Sequence, residues 1–185
     1  MQLFARAMLG VFWLAWGFPF AFLAPHRQKR PSLTAAGPSL LGLLLETIGI
    51  SMAWLIRMPA SAPLSLARVL PCLVLGPVAI VGGFAAVKHL GKQFRIQAGL
   101  YHDHELVRTG PYAVVRHPIY ATLLGMLVCT LLILTPWQWA PVSLALYIVG
   151  TEIRVRTEDG LLESRFGEEF RRYRGKVSAY IPFVR

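Results

Sequence analysis

Charge is what this 185-residue chain has least of. Only 15% of its residues are Asp, Glu, Lys or Arg, 55% are hydrophobic, and the mean hydropathy is +0.52. A soluble domain carries about a quarter charged residues, so that class is excluded. Acid is scarcer than base: nine Asp and Glu stand against 19 Lys and Arg, a net charge of +10. Cysteine is nearly missing as well. Cys72 and Cys129 both lie inside apolar runs, which excludes a disulfide framework and a thiolate zinc site and leaves them as packing residues. There is no internal repeat and no low-complexity segment. The final Pro182-Phe183-Val184-Arg185 holds no cysteine, so the chain is not expected to be a prenylation substrate itself.

What the chain has is long apolar runs. Five are legible, over 3–24, 38–57, 66–87, 118–134 and 137–152. They predict an all-α, polytopic membrane protein with about five transmembrane helices and little mass outside the bilayer. Five tryptophans and six tyrosines suit interfacial belts. The first run is long and is followed by Arg27, Lys29 and Arg30, so it reads as a retained anchor rather than a signal peptide. The basic residues lie between the runs, which argues for membrane orientation and against nucleic acid as a partner. Three sit in the first loop, five in the loop 88–117 and eight in the tail from Arg154. That places 16 of 19 on one side and leaves Arg6, Arg57 and Arg68 on the other. The bias predicts an odd number of spans, the N-terminus outside and the C-terminus in the cytoplasm. Arginine outnumbers lysine 15 to 4, a hint of a GC-rich bacterial genome and hence an inner membrane. The chain is read as a single membrane domain, with three N-terminal helices in 1–87 and a working region in 88–185.

The last two runs are short, about 15 residues or 22 Å as helix, against a bilayer core of about 30 Å. Thr135-Pro136 turns between them, so they predict a helical hairpin whose cytoplasmic ends run into polar structure. The segment 151–173 then reads as a helix, with Leu162, Phe166, Phe170 and Tyr173 as its apolar stripe and Gly160 as a weak point. The remaining tail, with Gly175 and Pro182, is expected to be irregular.

Between the third and fourth runs stands "QAGLYHDHELVRTGPYAVVRHP". His102, Asp103, His104 and Glu105 alternate without helical spacing and without cysteine, so they read as a solvated loop and no metal is expected. Arg116 reads as a topology charge. Pro118 is at home in a helix first turn, where free N–H groups also suit an anionic group of a ligand. Arg154 and Glu158, one turn apart, read either as a surface ion pair or, at the edge of a short membrane helix, as functional residues.

Taken in order, "HELVRTGPYAVVRHPIYA", a short hairpin, and "RVRTEDGLLESRFGEEFRRYRGKVSAYIPF" resemble the isoprenylcysteine carboxyl methyltransferase family, over roughly 88–184. That resemblance implies an integral membrane enzyme using S-adenosylmethionine to methylate the carboxylate of a prenylated cysteine or related lipophilic acid. Its cofactor contacts match Gln97, then His104, Glu105, Leu106, Val107 and Tyr112, then His117, Pro118, Ile119 and Tyr120, and finally Glu158. The arginine that meets the acceptor carboxylate matches Arg154. The chain departs from the family pattern in having Glu158-Asp159 for paired glutamates, Ala121-Thr122 where a glycine is common, and Gly160.

The residues suit that chemistry. A carboxylate acceptor is already ionised, so the task is to hold two reactants in line and exclude water. Arg154 can grip a carboxylate with its fork of donors, and Tyr112 and Tyr120 can flank a sulfonium. His117 is expected to position rather than to move a proton. Two other classes share parts of this pattern: membrane N- or S-methyltransferases of phospholipid amines or small thiols, and NADPH-dependent sterol-type reductases, which usually have more spans.

Overall fold

The computed structural model describes residues 1–23, 33, 34, 36–96, 98–100 and 104–184, and they are mostly helical. Among these described residues six α-helices follow one another: α1 (Gln2–Phe22), α2 (Ala36–Leu55), α3 (Leu66–Leu90), α4 (Pro118–Leu134), α5 (Ala140–Phe166) and α6 (Glu168–Arg174). One antiparallel pair, β1 (Leu33–Thr34) with β2 (Gly99–Leu100), joins the segment before α2 to the loop after α3. α1, α2 and α3 are long and apolar enough to cross a membrane, and α4 is a shorter apolar helix. On α3, Leu66, Leu70, Val74, Val78 and Val81 are all exposed. Their spacing of three and four makes one outward apolar stripe, which suits lipid and not water.

Small residues let the helices approach closely. Without a hydrophobic drive inside lipid, helix pairs depend on such packing and on interhelical hydrogen bonds. Phe12 of α1 lies where a side chain on Gly76 of α3 would stand. The α1 indoles reach across to α4: Trp13 Nε1 donates to Thr130 Oγ1 at 3.0 Å and Trp16 Nε1 to Thr122 Oγ1 at 3.1 Å. The α2–α5 interface is the tightest. A Cβ on Gly150 would lie 2.5 Å from the Gly42 carbonyl oxygen, and one on Gly49 would lie 2.7 Å from that of Ser143.

The three minority basic residues gather at one end. Arg6 donates to the Met58 carbonyl at 3.3 Å, Arg57 to that of Trp54, and buried Arg68 to that of Thr135 at 2.9 Å. The Arg68 guanidinium also lies 4.3 Å from the Trp137 ring centroid. The polar loop, the outer half of α5 and the tail lie at the opposite end.

The expected boundary between the hairpin and a following helix does not exist. α5 runs unbroken for 27 residues from Ala140, about 40 Å, and passes straight through Gly160. The break comes at Gly167, whose φ of +53° is left-handed and suits glycine; α6 starts immediately after. The tail is irregular as expected, yet it is tied down. Arg116 N donates to Ser178 O and His117 N to Ala179 O, both at 2.8 Å.

These contacts set two glycines of α5 apart. Gly150→Ala presses a methyl onto the backbone of α2 and should destabilise by about 1–3 kcal/mol. Gly160 has nothing within 4 Å of its would-be Cβ, so Gly160→Ala should stabilise by up to about 1 kcal/mol through helix propensity. Thermal unfolding in detergent checks both; shifts of the same sign would contradict the packing described.

Candidate functional site

Two separated stretches meet at the polar end. His104 through Val107, Tyr112, His117 through Tyr120, Arg154 and Glu158 all line one cavity of about 260 Å³. Their elements differ: an extended loop carries 104–107, a 3-10 turn (Gly110–Ala113) carries Tyr112, the start of α4 carries 117–120, and α5 carries Arg154 and Glu158. Gln97 lies outside the described residues, as do His102 and Asp103. Among the described residues no cluster of His, Cys, Asp or Glu suits a metal ion. Glu105 lines the cavity but its carboxylate faces water, 3.3 Å from Lys92 Nζ.

Arg154 and Glu158 are not a surface pair. Arg154 is buried, and its NH2 lies 4.0 Å from Glu158 Oε1. Its firmer partners are Glu46 Oε2, 2.9 Å from NH1, and the Ile96 carbonyl, 2.6 Å from NH2. The guanidinium stands 5.0 Å from the Tyr120 ring centroid. Its Nε has no hydrogen-bond partner among the described residues. Glu158 accepts from the Tyr120 hydroxyl and lies 3.3 Å from His117 Nδ1, with its side chain still 24% exposed.

Behind this row lies a second one. Asp159 is clasped by Arg116 NH2 and His117 Nε2, each at 2.9 Å. Arg116 also donates to the Arg174 and Val177 carbonyls. It is therefore a buried cation, because the tail and α5 close over it. His117 sits between two carboxylates. Burial alone would lower its pKa, but hydrogen bonds to Asp159 and Glu158, and their charges, outweigh it and push it up to about 9. Burial would likewise raise both acids; His117 hydrogen bonding reverses that, aided by Arg154 for Glu158 and Arg116 for Asp159, and holds both below the usual carboxylate range. Burial first, then the Glu158 charge, pushes the Tyr112 phenol up. With His117 protonated, three acids (Glu46, Glu158, Asp159) face three cations (Arg116, His117, Arg154).

Three participants escape a reading of the sequence by motif. Glu46 is buried in the middle of α2, where it accepts from Arg154 and from Thr151 Oγ1 at 2.9 Å. Its signal is plain in retrospect: it is the sole acidic residue among the first hundred, inside an apolar run, and an ionisable group there is a functional candidate by default. Gln93 is the second. It lines the cavity, is buried, and its amide nitrogen has no partner among the described residues. Asp159 is the third, legible only as a departure from paired glutamates.

Known proteins match this region. A model of the isoprenylcysteine carboxyl methyltransferase family matches residues 69–164. A protein-S-isoprenylcysteine O-methyltransferase of Schizosaccharomyces pombe is 38% identical over 92 residues, covering 44% of this chain and 35% of that protein. Another of the same description, from Saccharomyces cerevisiae, is 32% identical over 123 residues, covering 61% of this chain and 50% of that protein. The matched stretches thus span half or less of these relatives' own length.

The buried His117 links stability to pH. A pKa raised from 6.5 to about 9 in the folded state means that the contribution is complete below pH 6.5 and fades as pH rises through 9. Its size is of the order of 3 kcal/mol. Melting temperature in detergent should fall between pH 7 and 10, and His117→Gln should flatten that fall. A parallel decline in the variant would show that other groups carry it.

Proposed function

Since the chain belongs to the isoprenylcysteine carboxyl methyltransferase family, we propose that it is a membrane enzyme that methylates the carboxylate of a prenylated cysteine or a related lipophilic acid. The observation that carries this reading is the meeting of residues 104–107, 112 and 116–120 with Arg154 and Glu158 around one cavity. S-adenosylmethionine, when bound, supplies a methyl group on a sulfonium, open to in-line displacement by a nucleophile.

The cavity wall fits that cofactor. Tyr112 and Tyr120 offer aromatic faces to a sulfonium. Glu158, ionised and partly open, suits an ammonium or hydroxyl group. The amide nitrogen of Gln93, without a partner among the described residues, suits an oxygen acceptor, as do the N–H groups where α4 begins at Pro118. Leu106, Val107 and Ile119 present apolar surface to the same space and exclude water. His104 and Glu105 close the loop side, and Gln97 belongs with them by its match to the family pattern.

Arg154 holds the acceptor. Glu46 and Ile96 each take one of its five N–H donors, and the remaining ones can grip a carboxylate as a fork. That acceptor is already ionised at neutral pH, so no base is required. His117 is itself protonated there and holds Glu158 and Asp159 in place instead of taking a proton. Catalysis then rests on alignment, and alignment of this kind contributes several kcal/mol.

The same reading gives five spans in a single membrane domain, α4 and the apolar part of α5 completing the three longer helices. The C-terminus lies in the cytoplasm, and the GC-rich signature suggests a multi-pass protein of a bacterial inner membrane. The gathering of Arg6, Arg57 and Arg68 at the end opposite the site supports this orientation.

Two measurements test it. Methyl transfer from labelled S-adenosylmethionine is assayed against a prenylated cysteine, an isoprenoid acid, a phosphatidylethanolamine and a small thiol. The carboxylates should be methylated; Arg154→Ala should abolish turnover with cofactor binding retained, and Arg154→Lys should restore only part of the rate, because lysine is a point charge. Transfer confined to the amine or thiol, and indifferent to Arg154, would sink the carboxyl reading. Glu158→Gln should weaken equilibrium binding of the cofactor by about 10- to 100-fold; unchanged affinity removes Glu158 from the cofactor site.

A further inference from the structure

Arg154 stands on α5 with partners from two other parts of the chain. Its NH1 meets Glu46 of α2 at 2.9 Å, and its NH2 meets the carbonyl of Ile96, in the loop after α3, at 2.6 Å. Glu46 is itself held from two sides, Arg154 on Oε2 and Thr151 Oγ1 on Oε1 at 2.9 Å. Thr151 lies one turn before Arg154 on α5. The triad closes a ring between α2 and α5, and all three residues are buried. Gly42 and Gly150 make room for it. A Cβ on Gly42 would lie 2.5 Å from Arg154 Cγ, and one on Gly150 would lie 2.8 Å from the Glu46 amide nitrogen. Long flexible side chains lose precision when free; this guanidinium is pinned at both terminal nitrogens, and its Nε has no partner among the described residues.

Glu46 lies outside the stretch matched by the family model, which begins at residue 69. We propose that Glu46, fixed by Thr151, is the positioning residue for Arg154: it orients the guanidinium toward the acceptor's carboxylate and sets how tightly that carboxylate is held. The inference rests on the reading of Arg154 given above. It makes the N-terminal helices contributors to the site and not merely an anchor. A carboxylate on one edge of a guanidinium leaves the other donors in a fixed plane for a second carboxylate. Glu46 also offsets the positive charge while the site holds no acceptor, which a buried arginine requires.

The test compares Glu46→Gln and Thr151→Val with Arg154→Ala in the full-length protein in detergent, using farnesylated cysteine as acceptor. Kinetic constants are expressed per cofactor-binding site, so that loss of folded protein does not count. Glu46→Gln should raise the acceptor KM about tenfold or more, and Thr151→Val about threefold, with cofactor affinity unchanged within about twofold. Glu46→Asp should recover part of the loss, because its charge is kept and its reach shortened. A purely structural Glu46 predicts something else: lower melting temperatures with wild-type KM and kcat per site. That result overturns the inference. Where Glu46→Gln fails to fold, Thr151→Val decides, and an unchanged acceptor KM in it also overturns the inference. Loss of turnover in Arg154→Ala alongside wild-type kinetics in the other variants sinks only the role of Glu46. Normal turnover in Arg154→Ala sinks the reading of Arg154, and the role of Glu46 with it.

Discussion

A charge inside a close-packed helix pair is the constraint on which the rest of this structure depends. Arg154 projects from α5 into an interface where α2 and α5 come almost backbone to backbone at Gly42 and Gly150. An isolated guanidinium there would cost several kcal/mol. It is tolerated because Glu46 neutralises it and the Ile96 carbonyl takes a further donor. Those partners fix the register of α2 against α5 and draw the loop after α3 under the helix ends. That loop forms one wall of the cavity. The small residues and the ion pair are thus one device: without the glycines the pair could not form, and without the pair the close approach would bury an uncompensated charge.

The second row of charge works differently. Arg116, His117 and Asp159 do not join two membrane helices. They join the start of α4, the outer half of α5 and the tail. His117 belongs to both rows, since its two ring nitrogens face Asp159 and Glu158. Arg154, His117 and Glu158 on the cavity wall are therefore each held by other side chains, which is the condition for a site that aligns reactants with little motion.

Much of this was legible in the sequence, and the reasons for the rest are physical. Apolar runs and the placement of basic residues announced the helices to within a few residues, because burial in lipid requires long uninterrupted apolar stretches. The continuity of α5 was not legible. Its first half is apolar and its second amphipathic, so it reads as two elements, yet no residue between Ala140 and Phe166 stops a helix. Gly160 and Gly167 look equivalent in the sequence; only the second takes a left-handed φ. The residues in the 104–120 and 154–158 stretches announced themselves by short-range order. The Glu46–Arg154 pair did not, since 108 residues separate its members and no local spacing encodes such a pairing. Gln93 carried no local signal, because nothing in a sequence says that its amide turns into a cavity.

The tail has a consequence for how the protein is made. The peptide groups of Ser178 and Ala179 accept hydrogen bonds from the backbone of Arg116 and His117, and Val177 accepts from the Arg116 side chain. These residues are synthesised after all six helices. A nascent chain therefore carries Arg116 and His117 without their last backbone acceptors until residues 177–179 are made. The polar end cannot be completed before residues 177–179 are in place.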